Sequence, residues 1–144
     1  MGKYDHLISY MPRPDRPDEN VNTAIQRKIA WTEDSLIPGA PYFEIMWFCA
    51  PREPRPPTHT HTFYELLGFI GSDPDNFTDL GATVKFLLGD EWYTFTKSVL
   101  LYIPEGMPHS PIVIEEVRRP FIHFSGGPNV VYKRDINEGN DHQK

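Results

Sequence analysis

The stretch that decides the fold reads H-T-H-T-F-Y-E-L-L-G-F-I-G from His59 to Gly71, and a second stretch, P-E-G-M-P-H, ends at His109. Successive side chains of a β-strand point to opposite faces, so His59 and His61 lie on one face, about 7 Å apart along the backbone. Two imidazoles at that spacing can bind one metal ion. The alternative is that two surface histidines alternate in a strand and bind nothing.

Glu65 joins this pair only if the chain reverses its direction after His61. On one straight strand, six residues at roughly 3.3 Å each would hold Glu65 about 20 Å from His59. With a reversal, the Glu65 carboxylate returns to the two imidazoles, and the turn that begins at Pro104 delivers His109 as a fourth ligand. Three neutral nitrogens and one carboxylate oxygen suit iron(II), manganese, nickel, copper or zinc rather than calcium.

The two stretches resemble the paired motifs of the cupin superfamily, G-x5-H-x-H-x3,4-E-x6-G and G-x5-P-x-G-x2-H-x3-N. By this resemblance the metal ligands are His59, His61, Glu65 and His109. The departures from the motifs concern loop positions and leave the ligands in place: Glu53 and Ser98 replace the opening glycines, Gly71 comes one position early, and Val113 replaces the final asparagine. The motifs cover about a fifth of the chain.

The resemblance implies a cupin-type jelly-roll β-barrel whose interior holds one divalent transition metal, with iron(II) favoured, and a small organic substrate. An iron-dependent dioxygenase of carbonyl or phenolic compounds is the first functional hypothesis. In cupins the same four ligands also serve isomerases and lyases, so these reactions remain alternatives. A non-catalytic protein, in which the metal only anchors a small molecule, is the alternative from another class. Because cupins are commonly dimers, we expect a homodimer.

Length and composition fit one cytoplasmic domain. A chain of 144 residues can bury a core large enough to stabilise itself, and its single cysteine, Cys49, suits a reducing compartment. No apolar run reaches the roughly 18 residues of a membrane helix, and no secretory signal pattern is present. The net charge of −6, with no cluster of Lys and Arg, argues against nucleic acid. We therefore expect neither a membrane nor a nucleic-acid partner.

Short apolar and β-branched runs between turn residues predict about eight to ten strands and almost no helix. The predicted strands are 42–50, 66–70, 99–103, 112–117, 121–124 and 130–133, with a hairpin formed by 82–88 and 91–95. The stretch 51–57 has four prolines, which predicts an edge strand or a connector. For 21–31, a helix and a strand are equally compatible with the spacing of Ile25 and Ile29.

The two ends of the chain differ in composition from its middle. Residues 1–20 include three prolines, and five charged side chains lie between Arg13 and Glu19, which predicts a flexible N-terminal arm. By the resemblance, such an arm would pair with the sheet edge of a neighbouring subunit. Residues 21–136 form the predicted barrel domain, and 137–144 form a polar tail.

His123 and Tyr102 are the candidate catalytic residues. Alternation places His123 on the same face as Phe121, and if that face points inward, His123 can act as a general base or a hydrogen-bonding group near the metal. The alternative is that His123 faces solvent or binds a local backbone carbonyl. Tyr102 shares a strand with the turn that carries His109, so its phenol is a candidate to contact a ligand. The alternative is packing with the hydroxyl group at the surface.

Overall fold

The computed structural model describes residues 2–10, 24–129, 134–136 and 139–141, and it describes side chains for 2–10 and 24–129. The predicted strand at 130–133 lies outside the described residues. So do 11–20 of the predicted arm and 137–138 and 142–144 of the predicted tail. The division into arm, barrel and tail therefore stays a prediction.

The described chain is built from β-strands joined by turns. The strands are β1 (Gln26–Thr32), β2 (Phe43–Phe48), β3 (Arg52–Arg55), β4 (His59–Thr60), β5 (Glu65–Ile70), β6 (Asp79–Leu88), β7 (Glu91–Lys97), β8 (Val99–Ile103), β9 (His109–Val117), β10 (Phe121–Gly126), β11 (Arg134–Ile136) and β12 (Gly139–Asp141). Short 3₁₀ turns occur at Asp5–Leu7 and Pro74–Asn76.

The strands form two antiparallel sheets. The first sheet has the order β1-β2-β10-β5-β8, and the second has the order β12-β11-β4-β9-β6-β7, with β3 also paired to β9. Neighbours in a sheet are often distant in sequence: β10 lies between β2 and β5, and β4 pairs with β9. The all-β architecture that the sequence predicts is confirmed, and its strands form two antiparallel sheets.

Most of the predicted strands are present with small shifts at their ends. The hairpin of β6 and β7 forms around Gly89 and Asp90, and β8 has the predicted bounds. For 21–31 the sequence left a helix and a strand equally possible. The segment Gln26–Thr32 is strand β1, because its backbone pairs with β2. The proline-rich segment contains the short strand β3, which pairs with β9 at only two positions, Arg52 with Ile114 and Arg55 with Ile112.

The hydrophobic core lies between the two sheets. Alternate residues of β5 and β6 point inward, so that Leu67 and Phe69 of the first sheet meet Val84 and Phe86 of the second. The buried cluster comprises Met46, Phe48, Leu67, Phe69, Leu80, Ala82, Val84, Phe86, Ile103, Ile112, Ile114 and Phe121. This apolar packing holds the two sheets together and fixes the ends of β4, β5 and β9, which carry the site.

Candidate metal centre

Two separated turns bring His59, His61, Glu65 and His109 together. His59 lies on β4 directly opposite His109, the first residue of β9, so the two are cross-strand neighbours. His61 follows the end of β4, and the chain then crosses to the other sheet, where Glu65 begins β5. The reversal between residues 61 and 65 that the sequence predicts is therefore present.

The turn before His109 is fastened to the histidine loop by the backbone. The Gly106 amide donates a hydrogen bond to the His61 carbonyl oxygen over 2.9 Å. Gly106 has φ of +81°, a conformation that glycine adopts at low cost because it has no Cβ. The glycine of the second motif thus joins the two loops that carry the candidate ligands.

The three imidazoles form a compact buried cluster. Their ring centroids are 4.9 Å apart for His59 and His61, 4.5 Å for His59 and His109, and 5.1 Å for His61 and His109. One ligand nitrogen from each ring lies within 4.8 Å of the others. The three histidines are at most 3% exposed. This cluster could hold a metal ion.

Backbone carbonyls fix the protonation of two of these rings. The Nδ1 atom of His59 donates to the Pro57 carbonyl oxygen over 2.7 Å, and Nδ1 of His109 donates to the Met107 carbonyl oxygen over 2.9 Å. A carbonyl oxygen only accepts, so each Nδ1 carries a proton, and Nε2 is the nitrogen left available to bind a metal. Metal-binding histidines in proteins are commonly oriented in this way.

The Glu65 carboxylate lies against the same cluster. Its Oε1 atom is 3.1 Å from Nε2 of His109 and 3.2 Å from Nε2 of His61. Burial raises the pKa of Glu65, but hydrogen bonds and charge from His109 and His61 outweigh burial and lower that pKa to about 2. The carboxylate is therefore anionic at neutral pH and has the charge that a cation site requires.

A cavity of about 500 Å³ opens from this cluster into the space between the sheets. Strands of both sheets line it: Gln26, Lys28, Tyr42, Glu44, Met46, Phe48, Arg52, Arg55, Pro56, Pro57, His59, Glu65, Leu67, His109, Ser110, Ile112, His123 and Ser125. Polar side chains and apolar side chains share the wall. A small organic molecule can therefore be enclosed next to the histidines.

His123 is one of the buried residues that line this cavity, and it does not lie at the protein surface. Its ring is 5% exposed and stacks between Phe48 and Phe69, with centroid distances of 5.2 and 4.9 Å. Its Nδ1 atom donates to the Gly68 carbonyl oxygen over 3.0 Å, and this backbone partner lies on β5 rather than nearby in the sequence as the alternative expected. Burial lowers the pKa of His123 to about 4, and the hydrogen bond to Gly68 opposes that change only in part. The ring is neutral at pH 7.

Tyr102 lies outside the cluster, contrary to the role suggested for it. Its side chain is 60% exposed, whereas the next residue on β8, Ile103, is 1% exposed. Since neighbours on a strand point to opposite faces, Tyr102 must point outward when Ile103 points inward. Its ring lies 5.8 Å from that of Tyr64 on the outer surface.

The structure adds cavity residues that the sequence analysis did not single out. The hydroxyl groups of Tyr42 and Ser125 share a hydrogen bond of 2.8 Å, and both residues are buried. A signal for Ser125 was present, because it lies two residues after His123 and so on the same face of β10. Arg52 gave no such signal, because β3 reaches the cavity through its pairing with β9. Tyr42 precedes β2 and gave no such signal either.

Comparison with solved structures finds several proteins that are similar to this chain at low sequence identity. The polyketide cyclase RemF from Streptomyces resistomycificus is 17% identical, with a TM-score of 0.48 over 77% of this chain and 69% of that chain. An RmlC-like cupin from Shewanella frigidimarina is 9% identical, with a TM-score of 0.44 over 72% and 74%. KdgF from a Halomonas species is 12% identical, with a TM-score of 0.43 over 70% and 76%.

Each of these structures is less than 20% identical to this chain, and each TM-score is below 0.5. At such identities the likeness concerns the fold alone. No protein-family model matches the chain, and no curated protein matches it. Within the described part of the chain, no helix combines the length and the apolar character needed to span a membrane.

Proposed function

We propose that this protein is a metal-dependent enzyme of the cupin type that converts a small organic substrate in the cavity, with an iron-dependent dioxygenase reaction as the leading hypothesis. His59, His61, Glu65 and His109 would bind one divalent transition metal. The observation that carries the proposal is the anchoring of His59 and His109 through Nδ1, which leaves Nε2 of each ring as a ligand atom beside the Glu65 carboxylate.

The donor set fits a transition metal. His109 has a hydrogen-bond acceptor on each side, the Met107 carbonyl at Nδ1 and the Glu65 carboxylate at Nε2. A neutral ring has one N–H and cannot donate to both, so a shared cation or a second proton is needed between His109 and Glu65. Iron(II) is our first choice among the metals that such a set suits. Bound iron would supply the Lewis-acid and redox chemistry that a dioxygenase requires.

The protein's own side chains would prepare the substrate. The hydrogen bond from Nδ1 of His123 to Gly68 leaves Nε2 as the unprotonated nitrogen, which can accept a hydrogen bond or a proton from a substrate hydroxyl. The hydroxyl groups of Tyr42 and Ser125 supply a second polar contact inside the cavity. These three groups can orient a carbonyl or hydroxyl compound next to the metal ligands.

The apolar part of the cavity would exclude water and hold the body of the substrate. Met46, Phe48, Leu67 and Ile112 are buried residues that contribute to both the core and the cavity wall. Exclusion of water strengthens the electrostatic interactions of the polar groups with a bound substrate. A substrate with an apolar body and a few oxygen atoms fits this wall best.

Proton transfer without oxygen consumption is the second candidate. An isomerase or a lyase must move protons between substrate atoms. The neutral His123 and the hydroxyl groups of Tyr42 and Ser125 could accept and donate those protons. A non-catalytic protein that anchors a small molecule on the metal would use the same ligands without turnover. The homodimer, and the docking of the N-terminal arm on a neighbouring subunit, stay predictions.

Two measurements test this proposal. Elemental analysis of protein purified without a histidine tag identifies the metal. Anaerobic loading with iron(II), followed by exposure to oxygen with a panel of diketones, catechols and hydroxy acids, should give oxygen uptake that depends on one substrate class. Turnover without oxygen uptake would favour the isomerase or lyase. Binding without turnover would favour the non-catalytic protein, and failure to bind any transition metal would refute the proposal.

A further inference from the structure

Arg52 is a partly buried cation in the cavity wall. It begins β3, and its guanidinium carbon lies 4.7 Å from the centre of the Phe48 ring. Its Nη1 group donates to the Gln26 side-chain oxygen over 2.8 Å, and its Nη2 group donates to the Arg55 carbonyl oxygen over 3.0 Å. These contacts hold the guanidinium in one place against the cavity.

The hydrogen bonds of Arg52 are made to neutral oxygens, and its charge is not balanced by them. In the described part of the chain, Arg52 forms no ion pair with a carboxylate, and its Nε atom is buried without a hydrogen-bond partner. Burial, and then the nearby charge of Arg55, lower the pKa of Arg52 to about 10, so it remains protonated at neutral pH. A partly buried cation in this position favours an anion nearby.

The other charges of the cavity leave a positive excess on the β3 side. Lys28 is paired with Glu44, with Nζ 3.5 Å from Oε1. Glu65 belongs to the histidine cluster, where it would balance part of the charge of the metal. Arg52 and Arg55 remain, and neither is paired with a carboxylate among the described side chains.

We propose that Arg52 binds an anionic oxygen group of the substrate, a carboxylate or a phosphate, and thereby selects anionic over neutral molecules. This inference rests on the proposed function, because it takes the cavity as the substrate site. A guanidinium presents a planar set of donors that matches the oxygens of either group. The low polarity of the neighbouring Phe48 ring makes the attraction stronger than it would be in water.

Calorimetric titration of matched ligands tests this proposal. The anionic probes are succinate and glycerol 3-phosphate, and the neutral probes are dimethyl succinate and glycerol. In the wild-type protein we expect the anion of at least one pair to bind about tenfold or more tightly than its neutral counterpart, since a hydrogen bond to a charged group contributes this much. The anion that binds more tightly shows whether the site prefers a carboxylate or a phosphate.

Variants separate the role of Arg52 from general effects of charge. Arg52→Gln should abolish the preference for the anion, and Arg52→Lys, which keeps the charge without the planar donors, should retain part of it. Arg118→Gln removes a cation that pairs with Asp79 and Glu116 outside the cavity, and it should leave the preference unchanged. If Arg52→Gln folds normally and still prefers the anion, the inference is wrong. Neutral probes that bind as tightly as the anions would also overturn it.

The design distinguishes this inference from the proposed function. Metal content is measured for every sample, and the titrations are repeated after the metal is removed with a chelator. A wild-type protein that binds no metal but keeps an Arg52-dependent preference would refute the proposed function and support the inference. A protein with normal metal content whose anion binding is unaffected by Arg52→Gln would refute the inference about Arg52 and leave the proposed function standing.

Discussion

The interior between the two sheets has a polar end at the histidine cluster and an apolar end around Phe69. The same strands build both ends. On β5 the buried inward positions change from Glu65 to Leu67 and Phe69. On β9, His109 and Ile112 are both buried although they are three residues apart, because the pairing of β9 with β6 shifts register between them. The two ends therefore share their strands and differ in the chemistry of the side chains.

This difference separates stability from binding. An apolar side chain such as Phe69 stabilises the fold by leaving water and packing against its neighbours. A buried polar side chain such as Glu65 costs free energy unless it is paired, so the polar end depends on its hydrogen bonds and, under the proposed function, on a bound cation. Substitutions at the apolar end should mainly change the free energy of unfolding, and those at the polar end should mainly change metal binding.

The largest effect on stability is expected at the apolar end. Phe69 is fully buried and packs near Phe86, Phe95 and Phe121, with centroid distances of 6.1 to 6.3 Å. Phe69→Ala should lower the free energy of unfolding by about 3 to 5 kcal/mol because it leaves a cavity. Urea unfolding measures this loss. Phe77→Ala is the matched control, since Phe77 is 70% exposed.

The protein that remains folded after Phe69→Ala should bind metal with the wild-type stoichiometry. A loss of stability no greater than that of Phe77→Ala would contradict the assignment of Phe69 to the core. A loss of metal without a loss of stability would contradict the separation of the two ends.

His123 lies where the two ends meet, and we expect it to make stability depend on pH. Its pKa is about 4 in the folded protein and about 6.5 when exposed, so between these values the unfolded state binds more protons. Stability should therefore fall as pH decreases from 6.5 to 4, by up to about 1.4 kcal/mol per pH unit and about 3 kcal/mol in total. Arg52 and Glu65 are the charged groups that act on His123.

His123→Gln keeps a donor for the Gly68 carbonyl but does not titrate. Its free energy of unfolding should decrease less steeply than that of the wild type between pH 6.5 and 4, and the two slopes should agree between pH 7 and 8. Equal slopes at low pH would show that the folded protein accommodates a charged His123.

At the polar end, removal of a ligand should weaken metal binding while the fold survives. His61→Ala and His109→Ala should each lower metal affinity by about tenfold or more, because even a change beside a ligand commonly costs that much. Competition with a chromophoric chelator measures the affinity, and circular dichroism checks the fold. His6→Ala is the control, since His6 is exposed. A variant that keeps full affinity would exclude that residue from the site.

The sequence was sufficient to predict the cluster because the ligand spacing is local. His59, His61 and Glu65 lie within seven residues, and the turn around Gly106 is marked by its own prolines and glycine. One departure from the motifs, Ser98 in place of a glycine, also has a local explanation. Ser98, in place of a glycine, accepts a hydrogen bond from the Gly71 amide and donates one to the Phe77 carbonyl, so its side chain stabilises the loop.

The rest of the cavity depends on which strands lie side by side, and that could not be predicted from local patterns. The segment Val99–Ile103 is apolar at every position except Tyr102, so alternation could not decide which face points inward. Arg52 reaches the cavity because β3 pairs with β9, about sixty residues later in the chain. The proposed preference of the cavity for anions therefore follows from the topology and not from a motif.

The smallest effect is expected at Ser110, which joins the two ends on β9. Ser110 has φ of +76°, a conformation that is unfavourable for a residue with a Cβ, and its neighbour His109 belongs to the cluster. Ser110→Gly should relieve this strain and raise the free energy of unfolding by about 1 kcal/mol, less the entropy that glycine adds to the unfolded state.

The hydrogen bond from the Thr58 hydroxyl to the Ser110 carbonyl oxygen, 2.7 Å long, uses only the backbone of Ser110, so Ser110→Gly preserves it. Metal affinity should therefore be unchanged while stability rises, as measured by urea unfolding and chelator competition on the same samples. Ser110→Ala, which keeps the Cβ, should not gain this stability. If Ser110→Gly weakens metal binding tenfold, the Ser110 side chain must position His109, and the strained backbone would then belong to the site rather than to the fold.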